Sequence, residues 1–295
     1  MQTMSKPEKT NISALILAGG QSRRFDYQDK GLIPIKLQSN HDSIKSSDAD
    51  TAKTMVEHVL DRLTPQVNTV SISCNQNIQQ YQSILQGYYP ANIAFIDFNQ
   101  AQDNNAEDSS DRQTRQLFEQ AVCFNDIGSS EESDGSKNAD RENGACEKQA
   151  SKNKDKPILR GPLAGIYQFL KYCSSEWVFI CPCDIPALPD DIVQKLSKVL
   201  AASDSEVSYP VDKQGHYHLA ILLKCSAGVN ALDRLIEDIE QSTAKNAMSS
   251  ASSIRNWLDR MQSEQLSIDM LESAFANINS AVDMSQFEAR QNDNH

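Results

Sequence analysis

The sequence predicts an α/β protein of three layers, in which helices cover both faces of a mostly parallel β-sheet. Short apolar runs alternate along the chain with segments whose apolar residues recur at helical spacing, as in βαβ units. The first run, Ile12–Leu17, is almost continuously apolar and stops at two glycines, which is typical of a buried parallel strand. No stretch approaches the roughly 20 apolar residues that span a bilayer, so no membrane segment is expected.

The strands are predicted from short apolar runs that end at polar or turn-forming residues. They are expected at Ile12–Leu17, Val70–Cys74, Ile93–Ile96, Trp177–Cys181, Val207–Pro210 and Leu219–Leu223. Helices are predicted between them wherever apolar residues are three or four positions apart, as Val56, Val59, Leu60 and Leu63 are. These helices are expected at 54–63, 78–86, 163–172, 190–201, 228–239 and 252–261.

We predict a single folded domain over residues 11–290, with polar insertions at about 38–52 and 99–157 and flexible termini at 1–10 and 291–295. Residues 99–156 contain 13 Asp or Glu, 8 Lys or Arg and two aromatic residues. Such a composition buries too little apolar surface to offset the entropy lost on ordering. One short helix, around 114–123, is expected within this segment.

Charge and cysteine content exclude several classes of protein. The 28 Lys and Arg stand against 40 Asp and Glu, a formal net charge of −12, which argues against a general nucleic-acid binder. The seven cysteines form no C-x-x-C pair, and the polar first ten residues lack the apolar core of a secretory signal. We therefore expect a cytoplasmic location, with no nucleic acid and no membrane as partner.

The end of the first strand is the first candidate site. Ala18-Gly19-Gly20 follows it directly, and Arg23, Arg24 and Lys30 come within ten residues. Paired glycines let the backbone approach a ligand and turn N–H groups toward anionic oxygens, and the cations suit a triphosphate. The other interpretation is a tight turn with solvated charges. The loop is neither a Walker A sequence nor a G-x-G-x-x-G dinucleotide loop.

The strand at Trp177 leads into the second candidate site, Pro182-Cys183-Asp184-Ile185-Pro186. An aspartate at the mouth of a parallel strand suits a hard cation such as Mg²⁺, which takes one or two carboxylates and completes its shell with phosphate and water. The alternative is a capping or turn aspartate. Asn75 and Asp97 follow two further strands and suit a base edge or a ribose, although loop capping explains them equally well.

These motifs together resemble the molybdenum cofactor guanylyltransferases, which are nucleotidyltransferases with a Rossmann-like, glycosyltransferase-A-like fold. The resemblance covers nearly the whole chain apart from the polar insertions, and the chain departs from it at Phe25-Asp26, where Met-Gly is usual. It is carried by Leu17–Arg24, Asp29–Leu32, Gly161–Ile166 and Pro182–Pro186, with C-terminal echoes at Ser253–Leu258 and Phe275–Asn279.

The resemblance implies transfer of GMP from GTP to the terminal phosphate of molybdenum-molybdopterin, with release of pyrophosphate. It assigns catalytic roles to Arg23, Lys30 and Asp184, with Asp184 as the ligand of a Mg²⁺ cofactor. It assigns GTP binding to Leu17, Ala18, Gly19, Gly20, Lys30, Asn75, Asp97 and Asp184, with Ser73 as an alternative register for Asn75.

Three other functions share these motifs. A CTP-dependent molybdopterin cytidylyltransferase and a sugar-phosphate nucleotidyltransferase would use the same loop and the same aspartate. A catalytically silent homologue would carry the cofactor without transferring a nucleotide. Transient contact with the molybdenum-inserting protein and with recipient molybdoenzymes is the protein partnership that the resemblance implies.

Overall fold

A computed structural model gives the architecture. It describes residues 11–18, 25, 28–36, 52–89, 93–96, 121–125, 159, 161–213, 219–241, 253–268 and 272–293. The strands are β1 (Ile12–Leu17), β2 (Pro34–Ile35), β3 (Lys53–Thr54), β4 (Thr69–Cys74), β5 (Ile93–Ile96), β6 (Ala121–Asn125), β7 (Trp177–Pro182), β8 (Val207–Val211), β9 (Ile221–Lys224) and β10 (Ser263–Ser267). The α-helices are α1 (Met55–Leu63), α2 (Ile78–Tyr88), α3 (Pro162–Tyr172), α4 (Ile192–Ala201), α5 (Cys225–Gln241), α6 (Ile254–Leu258) and α7 (Ala281–Asp293).

Eight of the described strands form one sheet in the order β10-β8-β9-β7-β1-β4-β6-β5. Strand β9 is antiparallel to its neighbours β7 and β8, whereas the other pairs are parallel. Strands β2 and β3 form a separate antiparallel pair. The mostly parallel sheet that the sequence predicts is therefore confirmed, with one antiparallel strand inserted.

The helices cover both faces of the sheet because the central strand β1 is apolar on both faces. Ile12, Ala14 and Ile16 belong to a core with α1, α2 and α4, whereas Leu15 and Leu17 belong to a core with α3, α5 and α6. All five side chains are less than a tenth exposed. This arrangement confirms the three layers, and no helix in the described part of the chain is long and apolar enough to cross a membrane.

The structure places a strand within the segment that we predicted to be a polar insertion. Strand β6 pairs in parallel with β4 on one side and with β5 on the other. The short helix predicted around 114–123 is wrong over 121–123, because these residues lie in β6. The run Ala121-Val122-Cys123-Phe124 carries the apolar pattern of a short buried strand, but its strongly polar flanks outweighed it in the composition.

The sequence did not predict two C-terminal elements. Strand β10 reads Ser-Glu-Gln-Leu-Ser and alternates between exposed and half-buried residues at the edge of the sheet, so it lacks an apolar run. Helix α7 is largely polar and continues to Asp293, three residues beyond the predicted end of the folded domain. Its contact with the protein is a third, smaller core, formed by Phe25, Ile33, Ile35, Met55, Ile278 and Phe287.

Candidate active site

The carboxyl ends of β1, β4 and β7 meet at one edge of the sheet. The Ala18 amide donates to the Ser73 carbonyl at 2.8 Å, and the Cys183 amide donates to the Leu17 carbonyl at 3.1 Å. These two bonds extend the strand pairing past the ends of the strands. They hold the chain before Gly19 between the segments that carry Asn75 and Asp184. Ligand sites of open parallel sheets lie at such an edge.

Lys30 and Asp184 form an ion pair at this edge, although 154 residues separate them in the sequence. The Lys30 ammonium donates to Asp184 Oδ2 and also to Asn279 Oδ1, the latter at 2.7 Å. The two charged side chains are 17% and 14% exposed. An ion pair this shielded from water is screened little by salt. The structure thus brings together two of the three residues that the sequence predicted to be catalytic.

The second carboxylate oxygen of Asp184 has a different environment from the first. Oδ1 is buried and has no hydrogen-bond partner among the described residues. A buried carboxylate oxygen without a donor is costly, so this atom is available to a ligand, an ion or a water molecule. The Asp184 carbonyl accepts from the Ile278 amide at 3.0 Å, which ties the turn after β7 to the C-terminal segment.

Asn279 is a site residue to which the sequence assigned no role, although it lies in a C-terminal motif of the family resemblance. The backbone amide of Asn279 donates to Asp283 Oδ2 at 2.9 Å, and the backbone amide of Asp283 donates to the Ser280 hydroxyl at 3.2 Å. Both bonds are formed at the start of α7, where backbone amides have no partner within the helix. Helix α7 therefore fixes the backbone of Asn279 beside Lys30. The sequence signal is an Asn-Ser pair followed three residues later by an acid.

Asp29 is a buried carboxylate that organises the turn carrying Lys30. Its Oδ1 accepts from the Tyr81 hydroxyl at 2.5 Å and from the Gly31 amide at 3.3 Å, and its Oδ2 accepts from the Asn77 side chain at 3.1 Å. Asp29 caps the 3-10 helix Lys30–Leu32. Burial, together with the nearby Cys183 and Asp29, raises the pKa of Tyr81, so its hydroxyl stays protonated and donates.

Gly31 is required where it stands because nothing larger fits. A Cβ atom there would lie 2.4 Å from the Tyr81 hydroxyl oxygen and 3.3 Å from Cys183 Sγ. The first distance is far below van der Waals contact, and the Tyr81 hydroxyl cannot move away without breaking its hydrogen bond to Asp29. Each residue of the Asp29-Lys30-Gly31 motif thus has a role. Asp29 caps the 3-10 helix, Gly31 leaves space for the Tyr81 hydroxyl, and Lys30 contacts Asp184.

The thiols beside Asp184 are packing groups. Cys181 and Cys183 are both buried, and burial raises the pKa of each thiol above its ordinary value. The described residues contain no group of three or more His, Cys, Asp or Glu that could hold a metal ion. A cation at this edge would therefore rely on Asp184, ligand oxygens and water, the pattern that Mg²⁺ adopts with phosphates.

Phe25 stands where the resembled family usually has Met, so the position stays apolar, and Asp26, where Gly is usual, lies outside the described residues. Phe25 is 9% exposed and packs in the third core with Ile278 and Phe287. The phenyl ring ties the segment before Lys30 to the segment that leads into helix α7 and to the helix itself. Phe25 thus serves as an apolar anchor between two parts of the site.

The remaining predicted residues divide into two groups. Leu17 and Ala18 are buried at the carboxyl edge of β1, and Asn75 is exposed directly after β4. Gly19, Gly20, Arg23 and Asp97 lie outside the residues that the structure describes.

The sheet order and the helices on both of its faces define a Rossmann-like, glycosyltransferase-A-like fold. Molybdopterin-guanine dinucleotide biosynthesis protein A from Archaeoglobus fulgidus has this fold, with a TM-score of 0.52, 15% identity and coverage of 95% of this chain and 99% of its own. The 4-diphosphocytidyl-2C-methyl-D-erythritolsynthase from Anaerococcus prevotii has it too, with a TM-score of 0.50, 10% identity and coverage of 96% and 99%.

Sequence comparison identifies the family. The family of the MobA-like NTP transferase domain matches residues 14–101 and 138–260, and the chain belongs to this family. The molybdenum cofactor guanylyltransferase of Cupriavidus taiwanensis is 24% identical over 284 residues, which cover 96% of this chain and 98% of that protein. The enzyme of the same name from Yersinia pestis is 24% identical over 282 residues, covering 95% and 97%. The family that the sequence motifs indicated is thus confirmed.

Proposed function

We propose that this protein transfers the GMP unit of GTP to the terminal phosphate of molybdenum-bearing molybdopterin and releases pyrophosphate. The observation that carries the proposal is the shielded Lys30–Asp184 pair at the carboxyl edge of the sheet. This pair combines a cation for phosphate oxygens with a carboxylate for a metal ion. The relatives named molybdenum cofactor guanylyltransferase support the choice of guanine nucleotide and of acceptor.

The donor set fits Mg²⁺. Asp184 Oδ1 is a buried oxygen without a hydrogen-bond partner among the described residues, while Oδ2 keeps its contact with Lys30. A single protein carboxylate is a common ligand set for Mg²⁺ when substrate phosphates supply the other oxygens. We therefore propose Asp184 as the magnesium ligand. When bound, the ion would draw negative charge away from the α-phosphate.

Lys30 acts on the leaving group in this proposal. Its ammonium already lies at the site, held by Asp184 and Asn279, so little rearrangement brings it to an oxygen of the triphosphate. There it would stabilise the negative charge that develops as pyrophosphate departs. We propose the same role for Arg23, and nucleotide contacts for Leu17, Ala18, Gly19, Gly20, Asn75 and Asp97.

The chemistry needs no nucleophile from the protein. An oxygen of the acceptor's terminal phosphate forms a bond to the α-phosphorus of GTP as the bond from that phosphorus to the bridging oxygen of the β-phosphate breaks. The departing oxygen leaves with pyrophosphate, and the product is a dinucleotide with a new phosphoanhydride bond. Catalysis of this kind depends on positioning and charge. The nearby Cys183 thiol stays protonated because of its burial and takes no part.

A nucleotide panel tests the proposal. The purified full-length protein is incubated with Mg²⁺, a molybdopterin acceptor and GTP, CTP, ATP or UTP in turn, and both pyrophosphate and the dinucleotide are measured. We expect turnover with GTP to exceed turnover with CTP by about tenfold or more. A site whose polar groups form hydrogen bonds with guanine leaves those groups unpaired when another base is bound.

Each other outcome identifies a different protein. A preference for CTP would make it a cytidylyltransferase. In a parallel incubation with a sugar phosphate in place of the molybdopterin acceptor, product formed only there would make it a sugar-nucleotide enzyme. Binding of GTP or of the acceptor, seen as a thermal shift, with no pyrophosphate released would make it a silent carrier. Any of these three results overturns the proposal.

A further inference from the structure

Two cysteines meet at the edge of the sheet opposite the candidate active site. Cys173 directly follows helix α3, and Cys225 is the first residue of helix α5. Both lie near the amino ends of the parallel strands, since β7 begins four residues after Cys173. Cys173 is half-buried, Cys225 is 9% exposed, and both are free thiols.

Cys225 contacts the backbone of residues that precede and follow Cys173 in the sequence. The Cys225 sulfur lies 3.3 Å from the Leu170 carbonyl oxygen, and the Cys225 amide donates to the Glu176 carbonyl at 2.8 Å. Cys173 stands between Leu170 and Glu176 and is fixed by its own bond to the Phe169 carbonyl at 2.9 Å. These contacts place the start of helix α5 against the turn that carries Cys173.

We propose that Cys173 and Cys225 form a reversible disulfide when the protein meets a hydroperoxide. A disulfide needs two side chains that already face each other, because bridging distant cysteines requires the backbone to move. Here helices α3 and α5 pack together in one core, Cys173 and Cys225 lie at their shared end, and the Cys225 sulfur contacts the last turn of α3. The inference goes beyond the transferase function and does not depend on it.

The two thiols have different chemical environments. The hydrogen bond from Cys225, the Ser175 amide and the hydroxyls of Ser13 and Ser175 lower the pKa of Cys173. The hydrogen bond to Cys173, together with burial, raises the pKa of Cys225. Ser13 and Ser175 are themselves joined, with their oxygens 2.5 Å apart. Cys173 is thus the attacking thiol and Cys225 the resolving one.

The oxidation proceeds in two balanced steps. The Cys173 thiolate attacks the terminal oxygen of the hydroperoxide, the O–O bond breaks, and a sulfenic acid and an alkoxide or hydroxide result. The Cys225 sulfur then attacks the sulfenic sulfur, the S–S bond forms, and water leaves with the Cys225 proton. Two thiols are oxidised and one hydroperoxide is reduced. A dithiol reductant reverses the change by thiol–disulfide exchange.

Hydrogen peroxide and thiol alkylation test the proposal on the full-length protein. Reduced protein is treated with a small excess of peroxide, the free thiols are alkylated, and the peptides are analysed by mass spectrometry. We expect one new linked peptide, Cys173 to Cys225, with two fewer alkylated thiols per chain. Dithiothreitol should restore both thiols. In the Cys225→Ser variant, dimedone should trap a sulfenic acid at Cys173.

Matched variants complete the experiment. Cys181→Ser removes a buried thiol on the other side of the molecule's sheet and should leave the linked peptide unchanged. Cys173→Ser should abolish the linkage and leave Cys225 available for alkylation after unfolding. The proposal is overturned if the wild-type protein gives no Cys173–Cys225 peptide, if Cys173 links to a different cysteine, or if Cys173 passes to sulfinic acid while Cys225 stays reduced.

Discussion

Lys30 receives its position from three distant parts of the chain. Asp29 caps its turn with help from Tyr81, while Asp184 and Asn279 accept from its ammonium. Asp29 fixes the backbone of the turn, whereas Asp184 and Asn279 orient the Lys30 ammonium. Changes to single side chains should therefore separate folding from catalysis.

Replacing Asp184 by Asn keeps the size of the side chain and an oxygen that accepts from Lys30, but removes the negative charge. We expect turnover to fall by roughly 10²–10⁴, on the scale of one lost metal contact in the transition state. The cost in the free energy of unfolding should be about 1–3 kcal/mol, because a shielded charged hydrogen bond becomes a neutral one while Lys30 keeps Asn279 as a partner. Pyrophosphate release and the melting temperature are measured on the same preparation.

The control for this variant is Asp191→Asn, which breaks an exposed ion pair with Lys195 at 2.9 Å. It should change neither turnover nor stability measurably. If Asp184→Asn kept full activity and lost only stability, Asp184 would be a structural aspartate and the proposed mechanism would fail.

Tyr81→Phe tests the support beneath Lys30. The change removes one of three donors to a buried carboxylate, so we expect a loss of about 1.5–3 kcal/mol in the free energy of unfolding. The loosened turn should also weaken GTP binding several-fold, which isothermal calorimetry measures. Tyr167→Phe is the matched control, since its hydroxyl donates to Asp233 at 3.0 Å on the far helices. Equal GTP affinity in both variants would show that Asp29 does not position Lys30.

At the scale of elements, helix α7 is the least apolar helix and yet completes the site. Phe287 anchors it in the third core, whereas Val282 is 64% exposed on the same helix. We expect Phe287→Ala to release the helix and Asn279 with it, so that turnover falls about tenfold while the melting temperature falls by roughly 5–15 °C. The sheet pairing does not involve α7, so circular dichroism should stay close to that of the wild-type protein.

Val282→Ala is the control for this prediction and should leave turnover unchanged. Unchanged turnover in Phe287→Ala would mean that Asn279 stays at Lys30 without the helix, and it would exclude the anchoring role of α7. The Asn279→Ala variant would then show whether Asn279 itself contributes to turnover.

The sequence predicts elements well where a buried strand or an amphipathic helix carries a local pattern. Strand Ile12–Leu17 and strand Ile93–Ile96 have the predicted bounds, and most helices begin or end within a few residues of the expected ones. Strand β10 and helix α7 were not predicted because each packs through only one or two apolar residues. Strand β6 was not predicted because its four apolar residues lie within a long polar segment.

The same division holds for the site. Lys30 and Asp184 were predicted because each follows a recognisable strand or motif, and the end of a parallel strand is a known place for a ligand. The roles of Asn279 and Tyr81 depend on contacts across 249 and 52 residues, which no local pattern encodes. The sequence predicts which residue types reach the edge of the sheet, and tertiary packing selects their partners.

At the scale of the whole molecule, the two chemistries lie at opposite edges of one sheet. The anionic pair of substrates would meet the carboxyl edge, where the Lys30 ammonium lies beside Asp184. The Cys173–Cys225 pair lies at the amino edge, behind the hydroxyls of Ser13 and Ser175. A thiol reaction there leaves the carboxyl edge open to nucleotide.

The position of β6 also sets an order of assembly. Strand β5 precedes β6 in the chain but lies outside it in the sheet, and among the described strands it pairs with β6 alone. During synthesis, residues 93–96 emerge before the template that will hold them. Strand β5 can therefore take its place only once residues 121–125 have been made, so this edge of the sheet closes after the chain has grown past Asn125.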